Sequence, residues 1–151
     1  MLALLKSVDT PDTGYLVSPY RHCLQTATRA HRDGADEETV VVALLHDMAD
    51  RIAPESHGKV AADILGPYVS ERSRWVVETH PVFQGYYYYH RLGRDKNARD
   101  RFRGHPHFQA AADFCERWDQ VSFDPDYDTM PLAAFEPMVC RLFQRAPFAA
   151  C

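Results

Sequence analysis

Several features that would place this 151-residue chain in a broad class of proteins are missing from its sequence. Its four cysteines include no CxxC pair and form no dense framework, which suits a reducing cytosol. No apolar segment approaches the length of a membrane span, and the apolar stretch at the start is too short for a signal peptide. A formal net charge of −4 means that the chain lacks the excess of positive charge that is typical of nucleic-acid-binding proteins. We therefore expect a soluble, cytoplasmic protein whose partners include neither membrane nor nucleic acid.

Signals for β-strands are also scarce, and there is no internal repeat, low-complexity segment or credible domain linker. An apolar fraction of 46% is sufficient for a core, so we expect a single domain over residues 1–151. Helix signals dominate instead. The N-cap residues Ser18, Asp36, Ser56 and Ser70 predict helices over about 19–33, 37–47, 57–66 and 71–80. Pro81 is expected to kink or end the fourth of these helices.

The pattern is more ambiguous beyond Pro81. The run GYYYY at 85–89 is consistent with a continued helix or with a short extended piece, and its surroundings favour a helix. Further helices are predicted from about 106 to 119 and from about 131, with an ordered loop, SFDPDYDTMP, between them. The sequence therefore predicts a compact all-α domain of about five to seven helices. The apolar helix that precedes His46 should be the most enclosed one.

The pair His46-Asp47 directly follows the apolar run VVVALL at 40–45. An unpaired carboxylate at the end of a buried segment is costly, and a divalent cation is the partner that most readily removes this cost. Other predicted helices supply four more potential ligands, namely His22, His57, His80 and Asp119. Ligands from different helices form a rigid cage in a bundle core. Six protein ligands exceed what a tetrahedral zinc uses, whereas two octahedral metals sharing a bridging carboxylate would use them, so we expect a dinuclear site.

Other potential ligands and charges have simpler interpretations. Four histidines lie in polar or turn-rich contexts that are typical of ordinary residues: His31, His90, His105 and His107. Two of them, His90 and His105, are also candidates for the pocket. Cys23 and Cys115 are interpreted as small buried residues and not as ligands. A basic stretch is typical of a solvated helix face, with docking of an anionic substrate or partner as the alternative; it comprises Arg91, Arg94, Lys96, Arg99, Arg101 and Arg103.

Several segments together resemble the HD-domain superfamily, in particular its small diiron oxygenase branch. HCLQTA and ALLHD resemble the opening of that branch, SHGKVAADIL its H-x-x-x-A-x-x-x-L helix, VVETH its next ligand helix and ERWDQVSFDPDYDT its closing R-x-D segment. The resemblance covers about residues 15–138. Members of this branch, which include myo-inositol oxygenase and 2-amino-1-hydroxyethylphosphonate oxygenase, use a mixed-valent Fe(II)/Fe(III) pair and O2. They oxidise a hydroxylated carbon with cleavage of a C–C or C–P bond.

The resemblance implies an HD-domain helical bundle and a role for each ligand. His22, His46 and Asp119 would bind one iron, His57 and His80 would bind the other, and Asp47 would bridge the two. Gln84 occupies the position at which these oxygenases place a substrate-contacting lysine. Its neutral amide suits a hydroxyl or carbonyl group of a small-molecule substrate. Asp47 and Gln84 are therefore the predicted catalytic residues, with two Fe ions as the cofactor and O2 as co-substrate.

A metal-dependent phosphohydrolase on the same scaffold is the alternative. There a centre of Mn or other divalent metals would activate a water and stabilise the leaving oxygen of a phosphate ester. Such an enzyme needs positive side chains around its pocket, and the sequence offers Arg51, Lys59, Arg91, Arg94 and Arg103. A non-catalytic metal-dependent binding module is a third interpretation, against which the number of ligands argues.

Overall fold

A computed structural model of the chain describes residues 1–10, 14 and 16–148. All regular elements within these residues are helical and none is a strand, which confirms the predicted all-α class. The α-helices of the described residues are α1 (Leu2–Ser7), α2 (Pro19–Arg32), α3 (Glu37–Leu45), α4 (His57–Leu65), α5 (Glu71–Tyr88), α6 (Phe108–Phe114) and α7 (Leu132–Phe143). Shorter segments are 3-10 turns at Pro54–Ser56, Tyr89–Leu92 and Ala98–Phe102 and a π turn at Cys115–Asp119. Residue 15, where the resemblance begins, and the fourth cysteine, Cys151, lie outside the described residues.

Side-chain caps explain where three of the helices begin. Ser18 accepts the backbone N–H of the third residue of α2 at 3.2 Å, and Asp36 and Ser70 cap α3 and α5 in the same way at 2.8 and 3.2 Å. These three N-cap predictions are confirmed. Ser56 is also the residue before the first residue of its helix, since α4 begins at His57 as predicted, but its side chain makes no cap bond. Pro54 starts a 3-10 turn that continues directly into α4, so the backbone is already helical before the first residue of α4.

The end of α2 shows why its predicted stop is correct. Gly34 has φ +74°, a left-handed conformation that glycine adopts without steric cost. Its N–H donates to the carbonyl of His31 at 3.1 Å, and the N–H of Ala35 donates to the carbonyl of Ala30 at 3.1 Å. This pair of bonds is a Schellman motif, which satisfies carbonyls that the helix end would leave unpaired.

Helix α5 does not end at Pro81, and it continues to Tyr88. A proline inside a helix removes one backbone N–H and leaves the carbonyl four residues earlier without its helical partner. That carbonyl belongs to Val77, and it accepts a hydrogen bond from Nδ1 of His80 at 2.7 Å instead. The GYYYY run is accordingly helical through Tyr88 and then forms a 3-10 turn, so the extended alternative for 85–89 is wrong.

Helix α3 lies at the centre of the core, as its apolar sequence predicts. Every residue from Thr39 to Leu45 is buried, and α3 contacts α2, α5 and α7. Helices α4 and α5 pack along each other, and α6 packs on α5. Because α3 is enclosed on all sides, the residues that directly follow it, His46 and Asp47, emerge in the interior of the bundle. No helix in the described part of the chain is long and apolar enough to cross a membrane.

Candidate metal centre

The six predicted ligands lie together inside the bundle, on elements that are far apart in sequence. They come from the start of α2, the end of α3, the start of α4, the middle of α5 and the π turn: His22, His46, Asp47, His57, His80 and Asp119. Four of these residues are at most 2% exposed. Asp47 and His57 are partly exposed, so the cluster opens to solvent on their side. Tertiary packing therefore assembles the whole set that the sequence predicts.

The two carboxylate oxygens of Asp47 face different histidines. Oδ2 lies 3.3 Å from Nε2 of His46 and 3.5 Å from Nε2 of His22. Oδ1 lies 3.0 Å from Nε2 of His80 and 3.3 Å from Nε2 of His57. One carboxylate thus stands between two pairs of imidazoles, which is the arrangement that a bridging ligand requires.

Asp119 completes one side of the cluster. Its Oδ1 lies 3.2 Å from Nε2 of His22 and 3.8 Å from Nε2 of His46. The π turn at Cys115–Asp119, closed by a bond from Gln120 N–H to the carbonyl of Cys115 at 2.9 Å, presents this side chain at the end of α6. Such single π turns are frequent at functional sites because they re-aim the residues that follow. The other oxygen, Oδ2, lies 3.7 Å from the Cys115 sulfur, within reach of its weak S–H donor.

Backbone carbonyls orient all four imidazoles. The distance from Nδ1 to a carbonyl oxygen is 3.0 Å for His22, 2.8 Å for His46, 2.8 Å for His57 and 2.7 Å for His80. Because a carbonyl only accepts, Nδ1 carries the proton in each ring. In the neutral form, each ring would therefore present an unprotonated Nε2 atom towards Asp47 or Asp119. A ring held in this way by its other nitrogen is a typical metal-binding histidine.

The accepting carbonyls are ones that helical bonding leaves free. Ala43, which accepts from His46, lies in the last turn of α3, where carbonyls have no partner within the helix. Val77 is released by Pro81, and Pro54 lies in the 3-10 turn before α4. Ser122, in the loop after the π turn, orients His22. Helix ends and one internal proline thus fix the ring orientations.

A cation is needed where the imidazoles of His22 and His46 meet. Their Nε2 atoms are only 3.2 Å apart, although both Nδ1 positions already donate to carbonyls. Two facing lone pairs in a buried site repel each other unless a proton or a metal ion lies between them. Two groups of donors have atoms that all lie within 4.8 Å of one another: His22, His46 and Asp119 in one, and His46, Asp47 and His80 in the other. This buried His/Asp cluster can hold a metal ion.

The electrostatics of the metal-free cluster agree with that conclusion. Burial disfavours the charged imidazole of His46, but Asp47 and Asp119 outweigh burial and raise its pKa well above the ordinary value. Despite burial, contacts with histidines hold the pKa of both Asp47 and Asp119 below the usual range. The pKa of His80 is lowered by burial, which its contact with Asp47 does not fully offset. The carboxylates stay ionised, and metal binding would displace the proton that balances them.

A cavity of about 500 Å³ opens beside the cluster. Five of the predicted ligands line its wall: His22, Asp47, His57, His80 and Asp119. Apolar and aromatic side chains form much of the remaining wall: Val17, Pro19, Pro81, Tyr87, Tyr88, Leu92 and Phe123. A mostly apolar pocket with a few polar groups converging on one end is typical of a site for a small molecule.

Gln84 lines this cavity, four residues after His80 on the same face of α5. Its Oε1 is buried and has no hydrogen-bond partner among the described residues. A buried amide oxygen without a donor costs free energy, so an unpaired one that borders a pocket indicates a ligand group that would satisfy it. The contact between Gln84 and a substrate stays a prediction, and its position beside the ligands is as expected.

The remaining histidines do not join the cluster. His31 and His90 are exposed, and none of His31, His90, His105 and His107 lines the cavity. His105 stacks on Trp75 with ring centres 4.0 Å apart, so it is a packing residue and does not line the cavity. Cys23 and Cys115 are fully buried, as predicted, and burial with the nearby carboxylates raises the pKa of both thiols well above the ordinary value.

Most of the basic stretch lies against its own neighbours. The guanidinium of Arg99 is 3.7 Å from the ring centre of Tyr86, and that of Arg101 is 4.7 Å from the ring centre of Phe102. Arg103 pairs with Asp100 at 3.0 Å. Arg91 is different, because it lines the cavity.

Several residues of the site have no signal in the sequence. Phe123 stacks on the imidazole of His22 with ring centres 4.3 Å apart, and Gln120 lines the cavity near Asp119. The carbonyl of Ser122 orients His22. All three lie in or next to the predicted loop after the π turn, and only their folded positions reveal these contacts.

Two comparisons with known proteins complete the description of the site. No protein-family model matches the chain. No curated protein matches it either. The interpretation of this cluster therefore depends on its own residues and geometry.

Proposed function

We propose that this protein is an HD-domain, mixed-valent diiron oxygenase that oxidises a small hydroxylated substrate with O2. The observation that carries the proposal is the carboxylate of Asp47, whose two oxygens face two separate pairs of imidazole Nε2 atoms. A carboxylate shared in this way suits a pair of metal ions better than a single one. It also leaves few protein donors for each ion, so coordination positions remain for substrate and O2.

The donor set favours iron among the metals. His22, His46 and Asp119 form a group of two histidines and one carboxylate, the ligand set of non-haem iron oxygenases. His57 and His80 would hold the second ion, with Asp47 between the two. All six groups donate through nitrogen or oxygen, and the nearby thiols of Cys23 and Cys115 are kept protonated by burial. When bound, an iron pair supplies the one-electron and O2 chemistry that side chains lack.

The chain itself would orient the substrate and limit access of water. Phe123 covers one face of His22, and aromatic groups of Tyr87 and Tyr88 narrow the cavity. The buried Oε1 of Gln84 would accept a hydrogen bond from a hydroxyl group next to the carbon that reacts. Cleavage of a C–C or C–P bond adjacent to that carbon is the expected outcome.

The arrangement of cations argues for the oxygenase over the phosphohydrolase. Of the five cations that a phosphate ester could have used, Arg91 alone lines the cavity among the described residues. Arg51 donates to the carbonyl of Ser7 at 3.0 Å, and Lys59 pairs with Asp63 at 3.4 Å. A phosphate dianion would normally be met by several cations.

Metal analysis of anaerobically purified protein tests the dinuclear site. We expect about two iron ions per chain, together with the spectroscopic signature of a spin-coupled pair. Asp47→Ala should lose both ions, whereas His57→Ala should mainly empty one position. Asp95→Asn is the control, because Asp95 is an exposed carboxylate that does not line the cavity, and it should keep both ions. Full metal content in Asp47→Ala would contradict the bridging role.

Turnover with and without air separates the two chemistries. Iron-loaded, partly reduced protein would be given hydroxylated acids, polyols, hydroxyphosphonates and phosphate esters. We expect O2 uptake in step with substrate loss, and its absence in His22→Ala and Asp119→Ala. Release of phosphate from an ester under strict anaerobiosis, abolished by Asp47→Ala, would refute the oxygenase and establish the hydrolase.

A further inference from the structure

The wall of the cavity carries one cation that is not part of the His/Asp cluster. Arg91 is its only lysine or arginine within the described part of the chain. This residue is exposed, and it forms no hydrogen bond or ion pair with any described residue. Its neighbour Arg94 differs, because its guanidinium lies near the Tyr89 ring, 5.8 Å from the ring centre, and it does not line the cavity.

The part of the cavity next to the cluster offers a hydrogen-bond acceptor that is not a proposed metal ligand. There the buried Oε1 of Gln84 lines the same wall as Asp47 and Asp119, which would hold the metal ions. A ligand that spans the cavity therefore meets a hydrogen-bond acceptor near the cluster and a positive charge near Arg91. Complementarity requires a donor, such as a hydroxyl, at one end and an anionic group at the other.

The distance between the two ends sets the length of that ligand. From His80 to its end at Tyr88, helix α5 rises about 12 Å, and Arg91 lies in the 3-10 turn that follows, after the chain changes direction at Tyr88. An arginine side chain spans about half of such a distance. The anionic group must therefore lie several bonds away from the hydroxylated carbon. Apolar side chains on the cavity wall, such as those of Pro81, Tyr87 and Leu92, suit a hydrocarbon segment.

The single guanidinium also restricts the charge of the anionic group. One arginine pairs well with one carboxylate, through two parallel hydrogen bonds. A phosphate or phosphonate dianion at Arg91 would retain a second negative charge that no other lysine or arginine on the described cavity wall pairs.

We propose that the substrate is an elongated hydroxycarboxylate, which places its hydroxyl group at Gln84 and the metal cluster and its carboxylate on Arg91. This substrate class depends on the proposed function for the oxidation at the hydroxyl end. It goes further in assigning Arg91 as the residue that selects a monoanionic chain over a neutral polyol or a phosphonate.

Binding to protein loaded with Mn(II), which does not support the iron chemistry, tests the substrate class without turnover. The probes are straight-chain hydroxycarboxylates from hydroxybutyrate to hydroxydecanoate, the diols of equal length and the corresponding hydroxyalkylphosphonates, titrated by calorimetry. We expect a hydroxycarboxylate of intermediate length to bind tightest. Arg91→Gln should weaken its binding about tenfold to a hundredfold and leave diol binding unchanged. Arg94→Gln is the matched control and should change neither.

Each of the other outcomes would overturn the assignment. Diols or phosphonates that bind as tightly as the carboxylates, no binding of any hydroxycarboxylate, or equal losses in Arg91→Gln and Arg94→Gln would each refute it. Its failure is distinguishable from failure of the proposed function. Selective carboxylate binding without O2 uptake by the iron form would refute the oxygenase alone, whereas O2 uptake with polyols only would refute the substrate class alone.

Discussion

Replacing Pro81 by alanine should stabilise the fold and weaken the metal centre at the same time. A proline inside a helix costs about 3 kcal/mol relative to alanine. Loss of its ring would remove contacts with α4, where a Cβ on Gly58 would lie only 2.9 Å from the ring carbons. At about 0.8 kcal/mol per buried methylene, this loss offsets about half of the gain. Pro81→Ala should therefore stabilise the metal-free protein by about 1–2 kcal/mol.

The effect on the metal follows from the carbonyl of Val77. Alanine at position 81 would restore the backbone N–H that donates to this carbonyl in a regular helix. The restored bond competes with the bond from Nδ1 of His80, now 2.7 Å long, and loosens the orientation of the ring. Loss of such an orienting contact costs about tenfold to a hundredfold in metal affinity, and we expect the lower end because a carbonyl can accept two bonds.

Urea denaturation of the metal-free protein measures the stability, and Mn(II) titration measures the affinity. Pro137→Ala is the matched control, because Pro137 also lies inside a helix, α7, and is exposed. It should stabilise the protein without changing the affinity for Mn(II). Unchanged affinity in Pro81→Ala would refute the role of the Val77 carbonyl, and a loss of stability would refute the assigned cost of the proline.

Three further predictions concern packing, pH and the pocket. Gly58→Ala should destabilise the protein by about 1–3 kcal/mol in urea denaturation, because its Cβ would lie 2.9 Å from the Pro81 ring, whereas Gly104→Ala, with no atom within 4 Å, should not. Burial opposes ionisation of Glu38, but hydrogen bonds from Ser70, Ser73 and Arg145 lower its pKa. The ionised side chain therefore stabilises the fold above the pKa that Glu38 has in the unfolded chain, and this stabilisation is lost as pH falls through its lower pKa in the folded protein. Glu38→Gln should thus cost about 1–2 kcal/mol at neutral pH and progressively less below about pH 4, and an equal cost at both would contradict this sign. Gln84→Ala should weaken binding of a hydroxylated probe in calorimetry and leave the metal content intact. A loss of metal in this variant would contradict the assignment of Gln84 to substrate binding alone.

Capping and turn residues made the helices predictable. Ser18, Asp36 and Ser70 each bond to a backbone N–H three residues later, and Gly34 takes the left-handed conformation that ends α2. Such contacts span one turn of chain, so their outcome depends little on the rest of the molecule. Ser56 is the exception, because the preceding 3-10 turn at Pro54–Ser56 decides how the chain enters α4.

The sequence by itself also identified the six residues of the cluster, because His and Asp on otherwise apolar helices are costly unless they share a partner. Only the tertiary structure decided how they face one another. The opposed oxygens of Asp47, the π turn that presents Asp119 and the continuation of α5 through Pro81 all depend on neighbours distant in sequence. The same applies to Arg91, because the other basic residues nearby in sequence carry the same charge but do not line the cavity. Local patterns determine which groups are available, whereas packing determines which atoms meet, because burial and hydrogen bonding are properties of the whole core.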